Sequence, residues 1–256
     1  MPLTFAHPAV ILPFSRKSQY VNFLAMVLGS MSPDFEYFLR GRPYGEIGHT
    51  LWGFLVFNLP IVIIVYLIYQ ACIHETLFRH LPSALQDTYS PKTSSTRFLK
   101  MCVFFYSALF GMLTHGVWDS FTHAGGFMVR NFSILTYQVP VFDFAIPVFK
   151  FLQHGGTLVG ILAIISYMYL RTAKYGRDDD CDAEPKQKWL YWGQIALATT
   201  LLFGFWYLID SVSIKSFGII VVRIIDSALI SLLLVSISVQ RFYERKQNRH
   251  SFQARA

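Results

Sequence analysis

Residues 51–73 carry no charged side chain, and residues 101–118 and 189–209 repeat that pattern. Residues 155–170 are equally apolar, and 217–238 are interrupted only by Arg223 and Asp226. A helix rising 1.5 Å per residue needs about 20 apolar residues to cross a hydrocarbon layer. Runs of this kind leave few folds open, because lipid offers the backbone no hydrogen-bond partners and a helix satisfies its own. They predict an all-α, polytopic transmembrane helix bundle with five spans, at roughly 50–73, 101–121, 151–171, 189–210 and 217–240.

Composition supports the class. The chain of 256 residues is 54 % hydrophobic and 14 % charged, against about 25 % charged in an average soluble domain. A sixth apolar stretch, 18–31, would reach roughly 21 Å as a helix, too short to span, and reads as an N-terminal half-helix. Arg16 and Lys17 before it resemble the start of a secretory signal, but cleavage near Ser30 would discard His7. Cys72, Cys102 and Cys181 have no paired spacing, so neither a disulfide framework nor a cysteine zinc site is indicated. The net charge of +7 does not point to nucleic acid, because the basic residues sit in loops beside spans, where they orient a membrane protein.

Thirteen Lys and Arg fall in 74–100, 172–188 and 241–256, against five in 32–49, 122–150 and 211–216. The positive-inside rule then places the first set and the C-terminus in the cytoplasm. The expected organisation is a membrane-embedded metal-site domain over 1–170, a charged cytoplasmic loop over 171–188, a transmembrane hairpin over 189–240 and a basic cytoplasmic tail over 241–256. Residues 122–150 are long, aromatic and broken by Gly125, Gly126, Pro140 and Pro147; they read as a lid or re-entrant flap. Asp178, Asp179 and Asp180 read as a solvated acidic cluster, and His74, His80 and His250 as ordinary solvated side chains.

With that topology, seven side chains able to hold a metal or move a proton gather near the outer face: His7, Asp34, His49, His115, Asp119, His123 and His154. Ionisable groups at membrane depth are costly and mark function by default. His115-x-x-x-Asp119-x-x-x-His123 is the strongest local signal. His115 and Asp119 share a helix face and can grip one metal. His123 would lie about 12 Å along the axis from His115 if the helix continued, so it joins the same ion only across a helix break. Otherwise it serves a second metal, orients a ligand or binds substrate. Asp34 ends a Ser-Pro-Asp turn, His49 stands just before the first span, and His154 opens the third, beside Gly155 and Gly156. The structural alternatives are a His–Asp bond pinning two spans, a capping aspartate, an interfacial histidine and a packing histidine, respectively. Glu36 is a less favoured carboxylate. Mixed imidazole and carboxylate donors suit zinc first, manganese or iron next.

The segments Thr4-Phe5-Ala6-His7-Pro8-Ala9, Gly29-Ser30-Met31-Ser32-Pro33-Asp34, His49-Thr50-Leu51-Trp52-Gly53 and His115-Gly116-Val117-Trp118-Asp119 resemble an uncharacterised family of bacterial polytopic membrane proteins. That family is distantly similar to inner-membrane, metal-dependent hydrolases of the zinc phospholipase C-like type. The resemblance implies His7, Asp34, His49, His115 and Asp119 as metal ligands and a multi-pass inner-membrane location; His123 and His154 are additions to the pattern. The expected function is a metal-dependent hydrolase of phosphoester or lipid-headgroup substrates, with membrane lipids as surroundings and His123 or His154 as proton-transfer residue. The alternative is a non-enzymatic transporter or relay of protons or metal ions through the same cluster, which Arg223 and Asp226 fit if they are not simply an intrahelical ion pair.

Overall fold

The structure, a computed structural model, describes residues 3–16, 18–86, 95–175 and 183–253, and the side chains of all of these except 246–253. Five helices among them are long and apolar enough to cross a membrane: Leu51–His80, Arg97–Asn131, Val148–Tyr175, Pro185–Ile209 and Phe217–Arg245. The all-α expectation and its five spans hold. The acidic run 178–180 lies outside the described residues.

In chain order, a 3-10 turn over Thr4–Ile11 precedes the half-helix α1 (Phe23–Met31) and a short α2 (Phe35–Arg40). Asn22 starts α1 by accepting the Ala25 amide through its side chain, at 3.0 Å. The first spanning helix, α3 (Leu51–His80), is capped by the Thr50 hydroxyl, which accepts the Gly53 amide. Its regular winding gives way to a π-turn at Phe54–Asn58, immediately before Pro60. Proline lacks the N–H that the helix needs there, and an inserted residue relieves the clash. Next comes α4 (Arg97–Thr122), the helix carrying the His-Asp motif.

The stretch read as a flap is not structureless. It holds two short helices, α5 (Phe127–Asn131) and α6 (Ser133–Thr136), then an antiparallel hairpin pairing β1 (Gln138–Val141) with β2 (Phe144–Pro147). Val129, Leu135 and Phe149 form a small apolar cluster beneath it. At the hairpin tip Phe142 has φ 52°. The long helices α7 (Val148–Tyr175), α8 (Pro185–Ile209) and α9 (Phe217–Gln253) complete the chain.

The chain divides into two compact units. The first comprises Met1–Glu36, Gly45–Tyr66 and Tyr89–Lys174; the second comprises Tyr37–Tyr44, Leu67–Thr88 and Tyr175–Ala256. In the first, α1 and α4 pack backbone to backbone. A β-carbon at Gly29 would lie 2.2 Å from the Ala108 carbonyl oxygen, and one at Gly111 would lie 2.2 Å from that of Met26. Glycine at these two positions is what lets the helices touch.

In the second unit Tyr191, Ile195 and Val235 form the core. Two expectations fail here. His80 is buried, 2 % exposed, rather than solvated. Its Nδ1 donates to the Thr76 carbonyl at 2.7 Å, and its ring stacks on Tyr191 at 4.4 Å. Arg223 does not pair with Asp226. Its guanidinium binds the Asp210 carboxylate and lies over the Trp206 ring.

Candidate metal centre

Four separate pieces of chain supply the site, all within the first unit. His7 comes from the 3-10 turn after Thr4, and Asp34 from the Ser32–Asp34 turn that ends α1. His49 stands one residue before the α3 cap. His115 and Asp119 lie one turn apart near the end of α4.

The donor atoms converge. His115 Nε2 lies 3.2 Å from Asp119 Oδ2 and 3.7 Å from Asp34 Oδ1. His49 Nε2 lies 3.5 Å from the same Asp34 oxygen and 3.6 Å from the same Asp119 oxygen. Two tetrahedral ligands about 2.0–2.1 Å from an ion are about 3.4 Å from each other. These four spacings bracket a ligand edge, and only the 3.2 Å contact falls within ordinary hydrogen-bond range. His7 Nε2 lies 3.7 Å from the other Asp119 oxygen, Oδ1. Two donor triads satisfy a common-ion spacing: His7, Asp34 and His115, and His49, His115 and Asp119.

The surroundings orient each donor. The Nδ1 of His115 lies 2.8 Å from the Ser30 carbonyl; a carbonyl only accepts, so Nδ1 carries the proton and Nε2 presents its lone pair. The Thr4 hydroxyl donates to Asp34 Oδ2 at 2.6 Å, leaving Oδ1 for the centre. His7 Nε2, His115 Nε2 and Asp119 Oδ1 are buried with no hydrogen-bond partner among the described residues. Orphaned polar atoms are expensive in an apolar interior. Two carboxylates and three imidazoles with three atoms unsatisfied fit a divalent cation.

Glu36 has a different task from the one its charge suggests. Its carboxylate accepts the backbone N–H groups of Glu46, Ile47 and Gly48 at 2.8–3.0 Å. Asn58, in the π-turn, donates its side-chain amide to the Gly48 carbonyl at 2.6 Å. Gly48 is thus held from both sides, directly before His49. Sequence reasoning missed this clamp, as it missed Thr4 and Ser30, since all three act through contacts distant in sequence.

His123 stands beside Asp119 where α4 ends, and it belongs to neither donor triad. Its backbone is extended (φ −117°, ψ 139°) and its amide closes the helix on the Asp119 carbonyl at 3.1 Å. Gly126 folds back so closely that a β-carbon there would lie 2.4 Å from the Ser120 carbonyl oxygen. The His123 Nδ1 comes within 3.4 Å of Asp119 Oδ1. His154 is exposed on α7 and belongs to neither donor triad. Its neighbour Gly156 receives the Trp118 indole, where a β-carbon would lie 2.4 Å from the ring, while Gly155 has open space.

Exposure divides the site. His7, Asp34 and His115 are 4 %, 2 % and 1 % exposed, whereas the side chains of His49 and His123 are 31 % and 33 % exposed. The centre is closed on one side and open on the other. Burial, reinforced by the His115 charge, lowers the His7 pKa to about 4, so its nitrogen is neutral at pH 7. Burial opposes charge on His49 too, but the facing carboxylates of Asp119 and Asp34 outweigh it and raise its pKa to about 9. Asp34 also resists charge through burial, and His49, His115 and His7 nevertheless hold it below the usual carboxylate range.

Residues 1–237 match the family described as a domain of unknown function, DUF4184. The chain belongs to that family. No curated protein and no solved structure matches it.

Proposed function

We propose that the chain is a membrane-embedded, metal-dependent hydrolase acting on phosphoester or lipid-headgroup substrates. The observation that carries this reading is the set of four donors, Asp34 Oδ1, His49 Nε2, His115 Nε2 and Asp119 Oδ2, spaced at ligand-edge distances of 3.2–3.7 Å. Imidazole and carboxylate together favour zinc, then manganese or iron. When bound, such an ion supplies Lewis-acid polarisation of a phosphoryl oxygen and activation of water.

The chain's own residues do the rest. Ser30 and Thr4 fix the faces that His115 and Asp34 present. The buried side formed by His7, Asp34 and His115 excludes water. His123, a third exposed at the rim and next to Asp119, is placed to give a proton to the leaving oxygen. The Lys/Arg split puts the open side in the periplasm of a bacterial inner membrane, at headgroup depth.

Purified full-length chain should retain near-stoichiometric zinc, manganese or iron and cleave a member of a phosphodiester and phosphomonoester panel. The His115→Ala/Asp119→Ala double variant should lose both. Wild-type protein that takes up no divalent metal under any loading condition would sink the reading.

One observation favours transport instead. In the span Phe217–Arg245 the atoms Asp226 Oδ2, Ser227 Oγ and Ser231 Oγ are buried without hydrogen-bond partners among the described residues. Polar groups at depth suit a path for protons or ions. Proton or metal flux in proteoliposomes that Asp226→Asn abolishes, with no hydrolysis of the panel, would establish the transporter.

A further inference from the structure

We propose that the centre holds two divalent ions bridged by Asp119, with His7 as the terminal ligand of the second. This rests on the metal-centre reading above and goes beyond it in nuclearity and substrate charge.

The argument starts from the two oxygens of Asp119, which face different imidazoles. Oδ2 faces His115 at 3.2 Å and His49 at 3.6 Å. Oδ1 faces His7 at 3.7 Å and His123 at 3.4 Å. A carboxylate flanked in this way bridges rather than chelates. His115 Nδ1 is committed to the Ser30 carbonyl, so this ring has one lone pair and serves one ion. The triad His7, Asp34 and His115 and the triad His49, His115 and Asp119 share His115, which serves a single ion, so a second ion takes His7 in its own right.

Ring geometry sets the separation. His7 and His115 are stacked, with centroids 3.8 Å apart and planes 16° from parallel. Both present Nε2 toward Asp119. An ion lies in the plane of the imidazole that binds it, so two ions held by two stacked rings are separated by about the stacking distance. Two-metal hydrolytic sites have ions about 3.5–4 Å apart.

The orphaned atoms agree. His7 Nε2 and Asp119 Oδ1 are buried without hydrogen-bond partners among the described residues, and they are the two donors that the first ion leaves unused. Asp34 lies within 4.8 Å of the His7 donor and, with Oδ2 accepting from Thr4, can be shared between the ions only through its single oxygen Oδ1. The first ion then has His49, His115, Asp34 and Asp119; the second has His7 and the two bridging carboxylates. The second ion keeps positions open on the side where the partly exposed His123 stands.

Charge defines the ligand. Two divalent ions against two carboxylates leave a net charge of +2 with neutral imidazoles. A phosphomonoester dianion that bridges both ions neutralises it and a phosphodiester monoanion halves it, whereas a neutral ester or an amine does neither. The substrate class is an anionic phosphoester.

The test is metal content per chain, measured by mass spectrometry on full-length protein in detergent, for wild type and His7→Ala. The expected result is two ions in wild type and one in His7→Ala. Wild type loaded with manganese gives a second readout that needs no variant. Its electron paramagnetic resonance spectrum should show an exchange-coupled pair. One ion in both proteins, with the six-line spectrum of isolated manganese, overturns the two-ion proposal and leaves the metal-centre reading standing. No metal in wild type overturns both.

Discussion

Thr4 shows how a residue outside the donor set governs it. Its hydroxyl satisfies Asp34 Oδ2 at 2.6 Å, so the other oxygen is turned to the centre. Losing a partner of this kind typically weakens metal binding by about 10–100-fold. Thr4→Val keeps the shape and removes the hydroxyl, so metal affinity should drop by about that factor, and the metal-free protein should lose about 1–3 kcal/mol because Asp34 Oδ2 is left buried without its donor. A competition titration against a chelator measures it, and unchanged affinity would remove Thr4 from the site. His49 yields a pH prediction. Its folded pKa, raised from 6.5 to about 9, means that protonation stabilises the metal-free fold fully below pH 6.5 and that this contribution is lost as pH rises toward 9. A metal must displace the same proton, so binding strengthens over that interval. Melting curves should show a metal-free protein that loses stability from pH 6.5 to 9 and a metal-induced rise in Tm that grows. A rise that shrinks over this interval would show that His49 is not a ligand.

At the scale of elements, the centre depends on how closely α1 meets α4. The Ser30 carbonyl that orients His115 and the turn that carries Asp34 both belong to the end of α1. Gly29 and Gly111 set their distance from α4, each facing a carbonyl oxygen that a β-carbon would meet at 2.2 Å. A larger residue must push the helices apart, at a cost of about 1–3 kcal/mol. Gly111→Ala should therefore lower Tm and weaken metal binding together, whereas Gly193→Ala, with open space around it in α8, should do neither. A Gly111→Ala variant that binds metal as wild type does would show that the α1–α4 contact does not position the donors. The Glu36–Gly48–Asn58 clamp works on the same scale, joining the first turn of α2, the loop before α3 and the π-turn ahead of Pro60.

At the scale of the whole molecule the prediction is topological. By the positive-inside rule the thirteen-to-five split of Lys and Arg predicts 45–49 and 122–150 outside and the C-terminus inside. With the native cysteines replaced, Gly45→Cys and Asn131→Cys should react with an impermeant thiol reagent in whole cells. Ser95→Cys and Gln253→Cys should react only after lysis. The reverse pattern would move the centre to the cytoplasmic side and change the pool of phosphoesters it meets.

Some of this was legible in the linear chain. An uncharged run long enough to span has one stable outcome in lipid, so the five spans follow from length and composition. His115 and Asp119 follow from helical periodicity, which puts positions four apart on one face. Local Ser-Pro-Asp chemistry marks Asp34. What the sequence left open were matters decided by contact. The helix that carries His123 ends at Thr122, and no periodicity states where a helix stops. His80 is buried because Tyr191, more than a hundred residues later, covers its ring. Arg223 chose Asp210 over the nearer Asp226 because a guanidinium pairs with the carboxylate its rotamer reaches. Glu36 gave its charge to backbone amides because the following loop closed over it. Length, charge pattern and periodicity are properties of the chain, whereas the partner of a buried polar atom is a property of packing, and the candidate centre is built from such partners.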